Sequence, residues 1–446
     1  MPIVSTFSEL LLSFSPIMTS PTFENFLVIV RGWILCIGRR TVTRVIQAAG
    51  AVGEKHYSVY HRFFSRARWC IDKVSRVVLS LALKFVPKDA PICLAVDDTL
   101  CRKRGLHIFG TCMHHDPLIS CRKFRLVNWG HNWVVVGIVL RFPFAPSVTW
   151  CLPFAFRLYI SRKRAKSQRW KYRGVIHKTR PELAVEILTM VSNWYPERRF
   201  HLYGDSAYGG GSVLKPLPDN FDLTSRIVMD AELYDSPKPK KTSGRGRPRK
   251  RGKRLPSPAQ IADDSRRKWK SLRLEIYGKK QTVKAKEISG LWKAGGYRRI
   301  KIIIVRDPTG KTKDQAFYTT KLDMGAEATL TGYADRWSIE VAFENSKGHF
   351  GFEDPQSRKK KAVERTAPMA MALYSMVIMW FAKRGYRKCT FLNRPWYTKK
   401  ATPSFVDIMA TLRRESAREY FLDTPEWNRG TRKIMKLYCE TLALAA

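Results

Sequence analysis

Two short apolar runs, each emptying into carboxylates, constrain the fold more than any other feature of this chain. They are Pro91-Ile-Cys-Leu-Ala-Val-Asp97-Asp98-Thr99 and His201-Leu-Tyr-Gly-Asp205. Both are too short and too uniformly apolar for amphipathic helices, and both read as strands buried on their two faces. Between them, Asn132–Leu140 and Ser147–Leu158 read as two more strands. Pro181–Tyr195 reads as a helix, with Pro in its first turn and apolar Leu183, Val185, Ile187, Leu188 and Val191. A helical turn near Ser212 and a strand over Leu223–Met229 follow. This order predicts a mixed sheet with crossover helices, an α/β core. Acids at the carboxyl ends of such strands are where sites gather. A lone Asp after a strand is nevertheless more often a turn former or a helix cap.

Residues 1–88 read as helical, with candidates over Phe23–Ile37, Thr41–Ala49 and Tyr57–Val86. Arg39, Arg40, Arg44, Lys55, Arg62, Arg66 and Arg68 interleave there with Tyr57, Tyr60, Phe63 and Phe64. A small DNA-binding module has this look, and so does a helical bundle with a solvated basic face. Ser236–Arg267 is rich in Pro, Gly, Lys and Arg and reads as a linker or mobile loop. Its Arg245-Gly-Arg247-Pro248 core resembles an AT-hook, whose arginines enter the minor groove of A·T-rich DNA. A plain solvated basic linker is the alternative. Leu272–Ile276, Gln281–Ile288, Tyr297–Arg306 and Asp314–Thr319 alternate like antiparallel strands, and Pro368–Phe381 reads as an apolar core helix. The predicted division is a helical DNA-binding domain (1–88), the α/β core (89–230 and 326–382), a basic linker with a β-rich insertion (231–325), and a basic, partly helical C-terminal region (383–446).

Charge narrows the partner. Lys and Arg number 81 against 37 Asp and Glu, a net +44. Such an excess on a folded chain implies a polyanion, because neutralising phosphates releases counterions. No amphipathic Lys-rich anchor stands out, and Arg141, Pro143, Pro146, Pro153 and Arg157 interrupt the apolar stretch Trp133–Ile160. Nucleic acid is therefore the expected partner, and a membrane is not. Nine cysteines without framework spacing point to free thiols in a reducing compartment. Cys112, His114, His115 and Cys121 match no standard zinc spacing. With no basic n-region and cleavage site at the N-terminus, the expected location is cytoplasmic.

Tyr333–Lys347 contains neither Pro nor Gly and reads as one helix. At 100° per residue, Tyr333, Arg336, Glu340, Glu344 and Lys347 share a face roughly 80° wide, with Asp335 well round the other side. A surface helix with an Arg336–Glu340 ion pair has the same appearance. Taken together, Asp97/Asp98, Asp205 and Glu340 are acids on separate elements. Two Mg2+ ions clamping a phosphate need hard oxygen ligands of that kind, with Arg and Lys beside them for the DNA.

Tyr333, Arg336, Glu340 and Lys347 fit the signature Y-x2-R-x3-E-x6-K. With the strand ending in Asp97-Asp98-Thr99, the strand ending in Asp205 and the β-rich insertion, the chain over about 90–381 resembles DDE insertion-sequence transposases with a ribonuclease H-like core. The resemblance implies cut-and-paste transposition: a 3′-OH freed at the terminal repeats is joined to target DNA by a homodimeric synaptic complex. It also implies double-stranded DNA as the partner, two Mg2+ ions with Mn2+ as a substitute, and a cytoplasmic place at a nucleoid of prokaryotic type. By position Glu340 resembles the third acid and Asp205 the second. The first is Asp98 if aligned on the Asp before Thr, or Asp97 if aligned on the Asp that ends the strand. Adjacent strand residues face opposite ways, so only one of the pair should reach the metals. We take Asp98, with Asp97 as the alternative. Tyr333, Arg336 and Lys347 would contact phosphates near the cleaved end, and Glu344 ranks behind Glu340. Some relatives hold a flipped base on an insertion-domain Trp, and Trp292 is the candidate here, although a Trp in a small β unit is more often core. The competing functions are a metal-dependent nuclease of the same fold and a non-catalytic DNA-binding protein derived from a transposase.

Overall fold

The computed structural model describes residues 3–116, 119–121, 123–167, 169–237, 249–276, 278–391, 398, 400–421 and 429–444. Five helices lead: α1 (Ser5–Leu11), α2 (Ser20–Leu35), α3 (Val42–Ala49), α4 (Ser58–Ser65) and α5 (Ile71–Leu83). Thr41 caps α3 by accepting the Arg44 N–H, and Gly50 ends it in the left-handed region. The single helix expected over Tyr57–Val86 is two. The Trp69 ring stacks on Phe63 at 5.0 Å and its Nε1–H donates to the Phe63 carbonyl, which turns the chain between α4 and α5.

Next come β1 (Ile92–Arg102), β2 (Cys112–His115), β3 (Val127–Phe142), β4 (Ala145–Tyr159), the short α6 (Arg162–Ala165), α7 (Arg180–Trp194), β5 (Phe200–Gly204), the short α8 (Gly211–Leu214) and β6 (Phe221–Ile227). A capping box starts α7: Thr179 accepts from the Glu182 N–H, and Glu182 accepts from the Thr179 N–H. β1 runs antiparallel to β3 and β3 to β4, while β1, β5 and β6 are mutually parallel neighbours. This is a ribonuclease H-like mixed sheet, as the resemblance led us to expect. It places Asp97 and Asp98 inside β1 and Asp205 just past the end of β5.

The sheet does not stop at β6. After β7 (Leu233–Tyr234), β8 (Arg254–Leu255) and α9 (Pro258–Asp263) come β9 (Lys270–Ile276), β10 (Lys279–Trp292), β11 (Arg298–Arg306) and β12 (Gln315–Thr319). β12 pairs antiparallel with β6, β11 with β12 and β10 with β11, so the strands read as an insertion extend one sheet of 12 strands. The run from Ile300 to Ile304 shows why. Ile300, Ile302 and Ile304 enter the main core, while Ile303 joins Leu274, Phe317 and Leu330 on the opposite face. A strand buried on both sides needs cover on both.

Five helices close the chain: α10 (Ala326–Asp335), α11 (Ser338–Phe350), α12 (Lys360–Trp380), α13 (Phe405–Phe421) and α14 (Arg429–Leu444). From Ala367 to Trp380 every residue of α12 is buried, because β4, α4, α5, α11 and α13 surround it. One continuous core thus runs from Ile3 to Leu412. Among the described residues no helix is long and apolar enough to cross a membrane.

Candidate active site

Strand alternation sends Asp97 and Asp98 to opposite faces of β1. Asp97 meets Arg336, whose Nη1 donates to its Oδ2 at 2.5 Å, and its Oδ1 accepts the Asp98 N–H at 2.8 Å. Glu340 Oε1 lies 3.7 Å from Nη2 of the same guanidinium. Asp205 turns the chain after β5, its Oδ1 accepting the N–H groups of Ala207 at 2.9 Å and Tyr208 at 3.3 Å. Two acids on separate elements thus meet one buried arginine, and the charge of Asp205 on a third element acts on the same guanidinium. Burial pushes the Asp97 carboxyl up to about 7; Arg336 opposes this and the Asp205 charge adds to it. Burial raises Glu340 as well, again against Arg336 and with Asp205. Arg336 is held protonated against its own burial, chiefly by Asp97, with Tyr333, Glu340 and Asp205 adding. Its Nε has no partner among the described residues. The Tyr333 ring lies 5.6 Å from the guanidinium and packs edge-on to Phe317.

Asp98 faces away from this cluster. It accepts from Asn132 Nδ2 at 2.7 Å, Arg180 Nη1 at 2.8 Å and the Tyr208 hydroxyl at 2.8 Å. The residue taken from the sequence as the first acid is therefore fully occupied on the α7 face, and Asp97 is the one brought to Asp205 and Glu340. The sequence reading missed Asn132, Arg180 and Tyr208. One signal was available: Arg180 sits in the first turn of a helix, where the dipole disfavours a cation unless a carboxylate meets it.

Of the glycines after Asp205, Gly209 and Gly211 serve packing. A Cβ on Gly209 would lie 1.9 Å from Ser225 Oγ, and that hydroxyl donates to the Asp205 carbonyl at 2.8 Å. Only Gly lets this turn close onto β6.

Tyr333–Lys347 is not one helix. Ser338 Oγ donates to the Asp335 carbonyl at 2.7 Å, while the Ile339 N–H turns to Arg336 O and the Glu340 N–H to Trp337 O. These tighter bonds break the ladder between α10 and α11. Asp335 is drawn to the β3–β4 hairpin, accepting from Arg141 of β3 at 3.0 Å and Thr149 of β4 at 2.8 Å. Lys347 lies about two turns beyond Glu340, partly buried near Glu353, Cys101 and Arg102 and away from the acids. Glu344 is exposed.

Trp292 is 7% exposed, with its ring 5.3 Å from Tyr318. It is a core side chain and offers no open face for a base, which corrects the stacking expectation. Arg245 and Arg247 lie outside the described residues. Cys112 Sγ and His114 Nε2 are 3.1 Å apart, but His115 and Cys121 are exposed.

Among the described residues no three His, Cys, Asp or Glu side chains stand together as a ready ion cage. Arg336 instead bridges Asp97 and Glu340. The donor set still fits a hard divalent cation: these are carboxylate oxygens from three elements, two of them with protonation favoured by burial and mutual repulsion.

The profile of a family described as DDE superfamily endonuclease matches residues 13–291, more than half of the chain. The match takes in Asp97, Asp98 and Asp205 and ends within β10, ahead of the helix that carries Glu340. No curated protein sequence matches.

Proposed function

The chain belongs to the DDE superfamily of endonucleases, and from that premise we propose that it is a cut-and-paste DNA transposase. It cuts at the terminal repeats of an insertion sequence and joins the freed 3′-OH to target DNA. One observation carries this reading: Asp97 of β1 and Glu340 of α11 meet at a single guanidinium, and the charge of Asp205, in the turn after β5, acts on both acids and on that guanidinium. Phosphoryl transfer asks a protein mainly for positioning and charge. The three carboxylates would hold two Mg2+ ions, or Mn2+, which supply Lewis acidity for an in-line displacement at phosphorus.

The chain's own residues supply the rest. Asp97 is the first acid, Asp205 the second and Glu340 the third. Arg336 holds Asp97 and Glu340 in place and sets a positive charge beside the phosphate. Tyr333, against that guanidinium, and Lys347, two turns along α11, bind phosphates flanking the cut. Asp98 is a positioning residue: its bond from Tyr208 ties the Asp205 turn to β1, and its bond from Arg180 ties in α7. Exposed Arg39, Arg44, Arg62, Arg66 and Arg68 give the N-terminal helices a cationic surface for the duplex. Arg245 and Arg247 add minor-groove contacts. Two chains pair the transposon ends.

The test is cleavage and joining of the flanking terminal-repeat DNA with Mg2+ and a target plasmid. Alongside the parent run Asp97→Asn, Asp205→Asn, Glu340→Gln and Asp98→Asn. Both activities should fall at least 100-fold in the first three variants and less in the fourth. Cleavage without joining by the parent would leave a nuclease of the same fold. Binding without cleavage would leave a DNA-binding protein. Retention on DNA decides nothing, because a chain of net +44 binds any duplex at low salt.

A further inference from the structure

A cavity of about 270 Å3 opens where the α2–α3 connection, the end of α11 and α13 meet. Arg39, Arg40, Lys347, His349 and Arg413 line it together with one acid, Asp354. That acid is engaged, since its Oδ2 accepts the Arg40 backbone N–H at 2.7 Å. Arg413 is 1% exposed. Its Nε donates to Ile34 O at 2.9 Å and its Nη2 to Cys36 O at 3.3 Å. These bonds cap carbonyls at the end of α2, a good place for a cation. Capping does not account for Nη1, which is buried and has no hydrogen-bond partner among the described residues.

Arg40 repeats the pattern, with Nε on Trp33 O, Nη1 on Gly38 O and 7% exposure. Among the described residues neither guanidinium forms an ion pair with a carboxylate. Burial lowers the pKa of both, and the Arg40 charge lowers Arg413 further, to about 10. Unpaired buried charge is costly, and two such cations beside Lys347 concentrate the cost at one cavity. An anion between them would remove it.

We propose that this cavity is an oxyanion site that takes one phosphate group between Arg413, Arg40, Arg39 and Lys347. The volume suits a phosphate with a few waters and is too small for a base pair. A phosphate there clamps the N-terminal helices, α11 and α13 to one another. Its source is either the backbone of bound DNA, two turns along α11 from Glu340, or a free oxyanion. The site stands whether or not the acids cut DNA, because its test reads anion binding alone.

The full chain is titrated with potassium phosphate against potassium chloride of equal ionic strength, following the melting temperature and, by calorimetry, the heat of binding. Saturable binding in the low-millimolar range or tighter is expected, lost in Arg413→Met and weakened at least threefold in Arg39→Ala. Arg39 is exposed, so that variant still reports should Arg413→Met not fold. General exclusion of phosphate from protein surfaces also raises melting temperatures, but without saturation and equally in every variant. Finding only that effect overturns the proposal. Repeating the titration with saturating duplex separates the sources: competition assigns the site to a backbone phosphate, and simultaneous binding to a free oxyanion. Glu340→Gln, expected to be dead in cleavage, should bind phosphate as the parent does, so failure of the transposase reading leaves this result intact.

Discussion

Two adjacent aspartates with the same side chain sit in opposite environments, and their neutral isosteres should fail in opposite ways. Asp97 is a buried carboxylate repelled by Asp205 and steadied by Arg336. Replacing it with Asn relieves the burial of charge and the repulsion together, so in EDTA the fold should be as stable as the parent or more so. Asp98 accepts from an amide, a guanidinium and a phenol. Bonds to a charged acceptor are worth about 1.5–3 kcal/mol each, so Asp98→Asn should lose roughly that much in urea unfolding while keeping measurable cleavage. The reverse pattern, with Asp97→Asn unstable and Asp98→Asn intact, would undo the assignment of roles. The sequence established that the pair must split between two faces. It could not say which face held the site, because that depends on whether α7 or α11 covers Asp97. Both helices are remote in sequence, and the alignment on Thr99 pointed to Asp98, the residue that faces α7.

Helix breaks were the least legible elements, because side chains from elsewhere make them and local composition does not. No Pro or Gly marks the junction at Arg336–Trp337, where the Ser338 hydroxyl takes a carbonyl the helix would have used. No Gly marks the chain between α4 and α5 either. There Arg365, in α12, donates to the carbonyls of Phe64 at 3.2 Å and Ala67 at 3.0 Å, and also to that of Trp69. Its guanidinium lies 4.4 Å from the Trp69 ring centroid. The turn is thus built around a side chain nearly 300 residues away, which no local reading could supply. Arg365→Met would leave two or three buried carbonyls unpaired. At about 1–3 kcal/mol for each orphaned group, roughly 3–5 kcal/mol should be lost. The measurement is the urea midpoint at unchanged m-value. Arg365→Lys should recover only part, since an ammonium cannot fork between carbonyls. A loss under about 1 kcal/mol would show that the turn holds itself.

At the scale of the molecule, the α/β order was readable because buried strands and a capped helix announce themselves locally. The joining of the later strands was not readable. Alternation over Gln281–Ile288 and Tyr297–Arg306 showed strands, but only the β6–β12 pairing shows that they continue the core sheet. The N-terminal helices have the same lesson, and here it carries a prediction. They were expected to form a domain of their own, yet they are bound to the far end of the chain at several points. Trp33 Nε1–H donates to Phe350 O at 2.8 Å, the Val4 N–H to Ser416 Oγ at 3.0 Å, and Trp380 Nε1–H to Thr6 Oγ1 at 3.0 Å. Phe7, Phe26 and Trp33 belong to the same core as Val96 and Met376. A unit whose apolar face is completed by other elements should not keep its structure once those elements leave. Hydrogen exchange followed against urea should therefore show α2 and β1 losing protection at one denaturant concentration. Stability that differs between regions would appear instead in exposed helices such as α14, where Ile434 and Leu437 are more than half exposed. If α2 lost protection well before β1, the N-terminal helices would be a separate folding unit, and the shared core would be no more than a contact surface between two domains.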